Sequence, residues 1–220
     1  EFPLNYLDRR VLNTPPIALV LARAEIRRMA RVTGEVLAET LLLLDDQQIE
    51  RLDAIGKKEQ KVDLMQREIL DFLVALSRQS VTEETSREVA NLMHVVNDLE
   101  KIGDHCMHLG RLVRRKLDQR IEFSEAARRE IADISRQVEN FFKVTVQALD
   151  SGDRALVAGA QEMEDAIERL ETMLRGNHIA RLNTGECSVG PGLVYIDMLH
   201  DLEKIGDHTS KIAKAVQEHP

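Results

Sequence analysis

The octapeptide Asp-Leu-Glu-Lys-Ile-Gly-Asp-His occurs twice in this chain, at Asp98–His105 and again at Asp201–His208, an offset of 103 residues. Eight identical residues so far apart are no accident of composition. A repeat of that period implies one structural unit used twice. Outside the octapeptide the halves align more loosely. Val36-Leu37, Leu44 and Asp45 match Phe141-Phe142, Leu149 and Asp150 at an offset of 105, and Glu59 with Val62 matches Glu164 with Ile167 at the same offset. The two-residue difference falls in the loop before the third helix of each unit.

The unit reads as helical throughout. Of 220 residues, 43% are hydrophobic and 31% charged, while aromatics make up only 3% and Trp is absent. Aliphatics mixed with charges at helical spacing make amphipathic helices, whereas strands favour aromatic and β-branched residues. Six helices are expected. The first runs from Pro15 to Leu44 behind a Thr14 cap, with Pro15 and Pro16 suited to its first turn. The second runs from Gln47 to Ser77. The third runs from Thr82 to Lys116, with Arg114, Arg115 and Lys116 favourable to its dipole. The fourth runs from Ser124 to Leu149, and the fifth from the Asp150-Ser151-Gly152-Asp153 turn to Leu182. The sixth runs from Leu193 to Gln217, after a loop bounded by Asn183-Thr184-Gly185 and Gly190-Pro191-Gly192. Long helices joined by short loops pack antiparallel. The expected fold is therefore all-α, a tandem repeat of two three-helix bundles over 15–117 and 118–220. Residues 1–14 show no period and read as a linker or a cloning remnant.

Charge and composition narrow the function. A formal net charge of −8 argues against nucleic acid as the main partner, since phosphate binding needs clustered Lys and Arg. It suits a cation or a basic protein surface. Cys106 and Cys187 form no disulfide framework, which favours a reducing compartment. No apolar run reaches the roughly 18 residues that span a bilayer, and no signal peptide is visible. The chain begins at Glu1 rather than Met, as a fragment or a processed product would, so a membrane part upstream stays open.

The repeated helix carries the chemistry. On a helical wheel Leu99, Ile102, Cys106, Leu109 and Val113 form the core stripe. Asn97, Glu100, Asp104 and His108 form a second stripe, nearly opposite. In the sixth helix Leu202, Ile205 and Ile212 point inward, and His200, Glu203 and Asp207 occupy the other stripe. Each unit thus presents a Glu-x-x-x-Asp pair with Asn or His one turn earlier. The second helix of each unit adds Glu59 and Asp63, or Glu164 and Glu168. Like charges one turn apart repel by a few tenths of a kcal/mol, so gathered carboxylates call for a cation or basic groups. Oxygen-rich sites with some imidazole suit Fe, Mn, Mg, Ca or Zn. The plainer alternative is a solvated surface neutralised by Lys101 and Lys204, and for a single Glu-x-x-x-Asp it would be preferred. The identical second copy tips the balance to function. So do Gly103 and Gly206, because a mid-helix glycine costs about 1 kcal/mol against Ala and needs a reason such as close helix approach or room for a ligand.

Other candidates are weaker. His105 and His208 are either ligands or, the better reading, simple helix-surface groups. His94 reads as structural, Cys106 as an inert buried thiol and Cys187 as a loop residue. The sequence holds no phosphate-cradling Gly-rich loop and no nucleophile elbow.

The octapeptide, placed twice in the last helix of a three-helix unit, resembles the PhoU family of phosphate-transport regulators over about Thr14 to Val216. The flanks Leu12-Asn13-Thr14-Pro15-Pro16 and Ala22 to Met29 look like the entry to the PhoU-like domain behind sodium/phosphate cotransporter-type membrane proteins. His178 to Leu182, Gly185 and Cys187 look like that branch too. The resemblance implies two pseudo-symmetric three-helix bundles and multinuclear iron or zinc sites. Carried over by position, these fall on Glu100, Asp104, Glu203 and Asp207, with Glu59, Asp63, Glu164 and Glu168 a looser match. Mg, Ca and Mn stay open. It further implies a non-enzymatic regulator at the inner, cytoplasmic face of the cell membrane. Its partners would be a phosphate transporter or its own membrane domain, and a sensor protein, with self-association left open. Two other readings compete. A carboxylate-bridged metalloenzyme would place Glu-x-x-His on facing helices, but Gly103 and Gly206 stand at the His position. The other is a metal-free helical adaptor. Metal content and a turnover assay separate the three.

Overall fold

The computed structural model describes residues 7–218, and among these it contains helices and turns but no strand. Six α-helices follow one another: α1 Pro15–Asp46, α2 Arg51–Ser77, α3 Glu83–Asp118, α4 Glu125–Ser151, α5 Ala160–Asn183 and α6 Val189–Glu218. The expected all-α tandem repeat is the observed one. Of the segment read as a linker, residues 1–6 lie outside the described residues. Leu7, Val11 and Leu12 pack against the core, around a 3-10 turn at Arg9–Val11 capped by Asp8. Apolar side chains thus dock a stretch that lacks helical periodicity.

Side-chain caps set the start of α3 and α4, whereas Thr14 stands at the N-cap of α1 without a side-chain bond and leaves Pro15 and Pro16 to start that helix. Thr82 Oγ1 accepts from the Thr85 backbone N–H, and Ser124 Oγ from that of Ala127, each supplying a partner for an N–H that the helix leaves open. Three boundaries differ from expectation. Gln47 ends α1 instead of beginning α2; its φ is 55°, in the left-handed region that stops a helix. The fifth helix starts later, because Asp153 caps a separate 3-10 turn at Arg154–Val157 whose Val157 is buried. The sixth starts earlier and takes in Gly190-Pro191-Gly192. Proline suits a first turn that needs no N–H from it. At Gly192 a Cβ would sit 2.3 Å from His178 Nε2, so only glycine admits that imidazole.

Helices α1–α3 and α4–α6 each form a three-helix unit, and the units join through α3 on α6 and α1 on α4. Both cross-unit pairs are antiparallel: Asp98 meets His208 while His105 meets Asp201, and Arg27 donates to the Leu149 carbonyl. This is a pseudo-twofold arrangement with α3 and α6 at its centre and α2 and α5 outermost. The core stripes read from the sequence are buried in full, Leu99, Ile102, Cys106, Leu109 and Val113 in α3 and Leu202, Ile205 and Ile212 in α6. Burying such an aliphatic side chain contributes about 2 kcal/mol, and this apolar seam fixes the rotation of both octapeptide helices.

Candidate functional site

Fixing that rotation places the acidic stripe on the flank of α3, against α2, and not opposite the core. A helix in a three-helix unit has two neighbours, so its interface spans a wide arc, and the stripe lies at the rim of that arc. In the first unit, one carboxylate oxygen from each of Glu59, Asp63 and Asp104 lies within 4.8 Å of the others, all three residues half-buried. Glu100 adjoins them and bonds, like Asp104, to Lys101, at 3.2 Å and 3.0 Å respectively. Burial pushes the Glu59 carboxyl above its usual range, and the charges of Asp63, Asp104 and Glu100 push it further. Burial and then Asp104 raise Asp63. Burial raises Glu100, although Lys101 opposes it. The cluster carries an excess of negative charge that Lys101, Arg67 and Arg111 offset only in part.

Gly103 faces this cleft. A Cβ there would stand 3.7 Å from Glu59 Cγ and 3.8 Å from Val62 Cγ1, an ordinary contact. At Gly206 it would stand 3.2 Å from Ile167 Cδ1, so α5 and α6 approach more closely than α2 and α3. Close helix approach explains the second glycine better than the first.

In the second unit Glu164, Glu168, Glu203 and Asp207 line an open cleft of about 210 Å³. Its charges are largely answered. Glu164 accepts from the Ser210 hydroxyl and pairs with Lys214 at 3.2 Å. Glu203 pairs with Lys204 at 3.1 Å and Asp207 with Lys211 at 3.1 Å. Asn97 and His200 are exposed and lie outside the three-carboxylate group; the Asn97 side-chain oxygen instead accepts from Gln66 Nε2 at 3.1 Å.

The first and last residues of the octapeptide have a role that the sequence reading missed. His105 Nδ1 lies 2.8 Å from Asp201 Oδ1, and His208 Nδ1 lies 2.8 Å from Asp98 Oδ1. The two imidazoles face each other with ring centroids 5.7 Å apart. His108 Nδ1 lies 2.5 Å from the second oxygen of Asp201, which is buried. His105 and His208 are therefore half-buried clamps between the units, not helix-surface groups. The signal was present: Asp and His seven residues apart share one helix face, and a twofold sets each against the other's copy. His94 is exposed. Cys106 is fully buried, its thiol pushed up to about 12 by burial, so it is inert as expected.

The donor set fits a cation. Three half-buried carboxylates on two helices offer hard oxygen ligands, and their mutual repulsion is what a di- or trivalent ion relieves. His105, His108 and His208 are committed to the unit interface, and the grouped donors of the first cleft are all carboxylate oxygens. No helix of the described residues is long and apolar enough to cross a membrane.

Known proteins share this architecture. The phosphate-specific transport system accessory protein PhoU homolog 1 of Thermotoga maritima is 22% identical over 206 residues, covering 90% of this chain and 85% of that protein. A Salmonella typhimurium protein named for inorganic phosphate export, YjbB, is 22% identical over 220 residues, which cover 98% of this chain but only 40% of that one. The crystal structure of PhoU from Pseudomonas aeruginosa matches with a TM-score of 0.84 at 20% identity, over 91% of this chain and 96% of that one, a likeness of fold. The model of the PhoU domain matches residues 26–113 and again residues 131–216, once in each three-helix unit, and the chain belongs to the PhoU family.

Proposed function

We propose that this chain is a non-enzymatic regulatory domain of phosphate transport that binds a cation in the Glu59–Asp63–Asp104 cleft and docks on a phosphate transporter. The observation that carries the reading is the doubled PhoU domain, with each copy gathering acids from its second and third helices onto one flank. Glu59, Asp63, Glu100 and Asp104 would hold iron or zinc in the first unit; Glu164, Glu168, Glu203 and Asp207 would do so more weakly in the second. The ion would lower the self-repulsion of the flank and bridge carboxylates to a partner. Net charge of −8 favours the Lys- and Arg-rich cytoplasmic loops of a membrane protein. Relatives named as accessory proteins of phosphate-specific transport support a transporter as the partner. The match to less than half of a longer phosphate-export protein supports a tethered form at the inner face of the membrane. A carboxylate-bridged di-iron enzyme is disfavoured, since Gly103 and Gly206 stand where its Glu-x-x-His pattern needs histidine.

For the domain to regulate, the ion must bind docked and undocked states unequally. The test compares phosphate uptake in host cells carrying the parent chain, no chain, or the variant Glu59→Gln, Asp63→Asn, Asp104→Asn, alongside the metal content of each purified protein. The reading expects the variant to lose metal and to shift uptake toward that of cells without the chain. Equal uptake in all three overturns the regulatory role, and equal metal content overturns the site.

A further inference from the structure

The pseudo-twofold relating α1 to α4 also relates the two ends of the groove between them, and the two ends differ. At one end Arg23 pairs with Glu88 and Asn91 Nδ2 donates to the Ala215 carbonyl at 3.2 Å, and the space left is about 60 Å³. At the other end a pocket of about 290 Å³ opens where the C-terminal turns of α1 face the first half of α4. Leu41, Leu44, Val113, Phe123, Ile131 and Met198 give it a mainly apolar wall drawn from both units.

Its polar groups are mixed, with cations in excess of the carboxylates that lack a partner. The Ser135 hydroxyl is buried and has no hydrogen-bond partner. Lys116, also buried, has no carboxylate partner among the described residues; its Nζ donates to Gln47 Oε1 at 2.9 Å and lies 4.9 Å from the Phe123 ring centre. Burial, and then the neighbouring Arg128, hold the Lys116 ammonium below its usual range. Arg128 is exposed at the mouth, and its guanidinium has no hydrogen bond or ion pair among the described residues. Of the other charged residues lining the pocket, Glu139 pairs with Lys143 at 2.7 Å and Arg136 with Asp133. In the lining that leaves two cations against Asp45, while Glu122, outside the lining, acts on Lys116 from nearby. A desolvated cation and a buried hydroxyl without partners are costly unless a ligand answers them.

We propose that this pocket binds a small amphiphilic organic anion. Its carboxylate would meet Lys116, Arg128 and Ser135, and its hydrocarbon would lie on Leu41, Ile131 and Met198. A cavity of about 150 Å³ accommodates benzene, so this volume takes a body of on the order of ten heavy atoms, too short for a membrane lipid chain. Such a ligand would touch α1 of one unit and α4 of the other, and so would favour the arrangement of units seen here. The inference is independent of the cation cleft.

Calorimetric titration of the whole chain with octanoate, octanol and acetate tests it. Octanoate should bind saturably at one site and acetate not at all. Octanol should bind about fivefold more weakly than octanoate, the scale of an exposed charge contact. Ala132→Phe, at an exposed position in the lining, should abolish octanoate binding. Arg128→Gln should weaken octanoate about threefold, with Lys116 still holding the carboxylate, and leave octanol unchanged. Both positions are exposed, and unchanged melting temperatures confirm that the variants fold. Substituting Glu59, Asp63 and Asp104 should not alter octanoate binding. Equal affinity for octanoate and octanol overturns the proposal and leaves an apolar slot for a partner's side chain. Insensitivity to Ala132→Phe also overturns it, and lack of saturable binding leaves a pocket that holds water only.

Discussion

The two acidic clefts carry the same octapeptide and yet differ. In the first, Lys101 is bonded to both third-helix acids, and three carboxylates crowd within 4.8 Å. In the second, Lys204, Lys211 and Lys214 each hold a carboxylate, and Ser210 donates to Glu164. The difference lies just past the repeated residues. At the offset of 103, Ser210, Lys211 and Lys214 correspond to Met107, His108 and Arg111, and His108 turns to Asp201 instead of the cleft. A repeated motif sets where carboxylates stand; its neighbours decide whether their charge is still available to an ion.

The sharpest break of the symmetry is at the clamps. Asp201 serves two imidazoles and its side chain is 3% exposed, whereas Asp98 serves one and is 15% exposed. Removing a buried charged acceptor strands its donors, so Asp201→Ala should cost about 3 kcal/mol and Asp98→Ala about 1 kcal/mol. Urea denaturation reads both, and equal losses would mean that the units are clamped symmetrically.

Next in size is the cation. The first cleft should bind Mn²⁺ or Zn²⁺ at least about tenfold more tightly than the second, about 1.4 kcal/mol. Titration calorimetry of Asp63→Asn/Asp104→Asn against Glu203→Gln/Asp207→Asn separates the two. If the second pair removes the tighter site, the comparison is reversed.

The glycines should differ in sign. Gly103→Ala meets only ordinary contacts and should stabilise by up to about 1 kcal/mol through helix propensity. Gly206→Ala presses on buried Ile167 and should destabilise by about 1 kcal/mol. Thermal melts that shift in the same direction for both would remove the distinction in helix approach.

The smallest effect is pH dependence. Glu59, Asp63 and Glu100 are raised in the folded state, mainly by burial. Between the ordinary carboxylate range and their raised values the folded chain holds more protons than the unfolded one, so their contribution favours folding at low pH and is lost as pH rises through that window. Metal-free protein should therefore show a component of stability that declines with rising pH there, reduced in Asp63→Asn/Glu59→Gln to the share of Glu100. A saturating divalent cation should reverse its sign, because the ion needs deprotonated ligands. A slope unchanged by the substitutions would place the proton uptake elsewhere.

Much of this was legible locally. The core stripe of α3, the Thr82 and Ser124 caps and the six helices follow from spacing and cap chemistry, which act within a few residues. Glu59, Asp63 and Asp104 could be named for their residue types and spacing, but their convergence could not. The Gln47 stop and the early start of α6 escaped because Gln47 lies in the left-handed region against its type, and Gly192 is explained only by the imidazole of a residue on another helix.

The sequence by itself determined that one helical unit is used twice, which faces of α3 and α6 are apolar, and that each carries acids at i and i+4. These are properties of periodicity, and periodicity is local. Tertiary structure alone decided that the acidic stripe meets α2 on a flank, that its Asp104 crowds with Glu59 and Asp63 of α2 while the second cleft's acids are paired with lysines, and that Asp98 and His208, 110 residues apart, are partners. Those outcomes depend on how the apolar seam between α3 and α6 sets the rotation of each helix. That seam sums many buried contacts across the chain, none of which any single segment specifies.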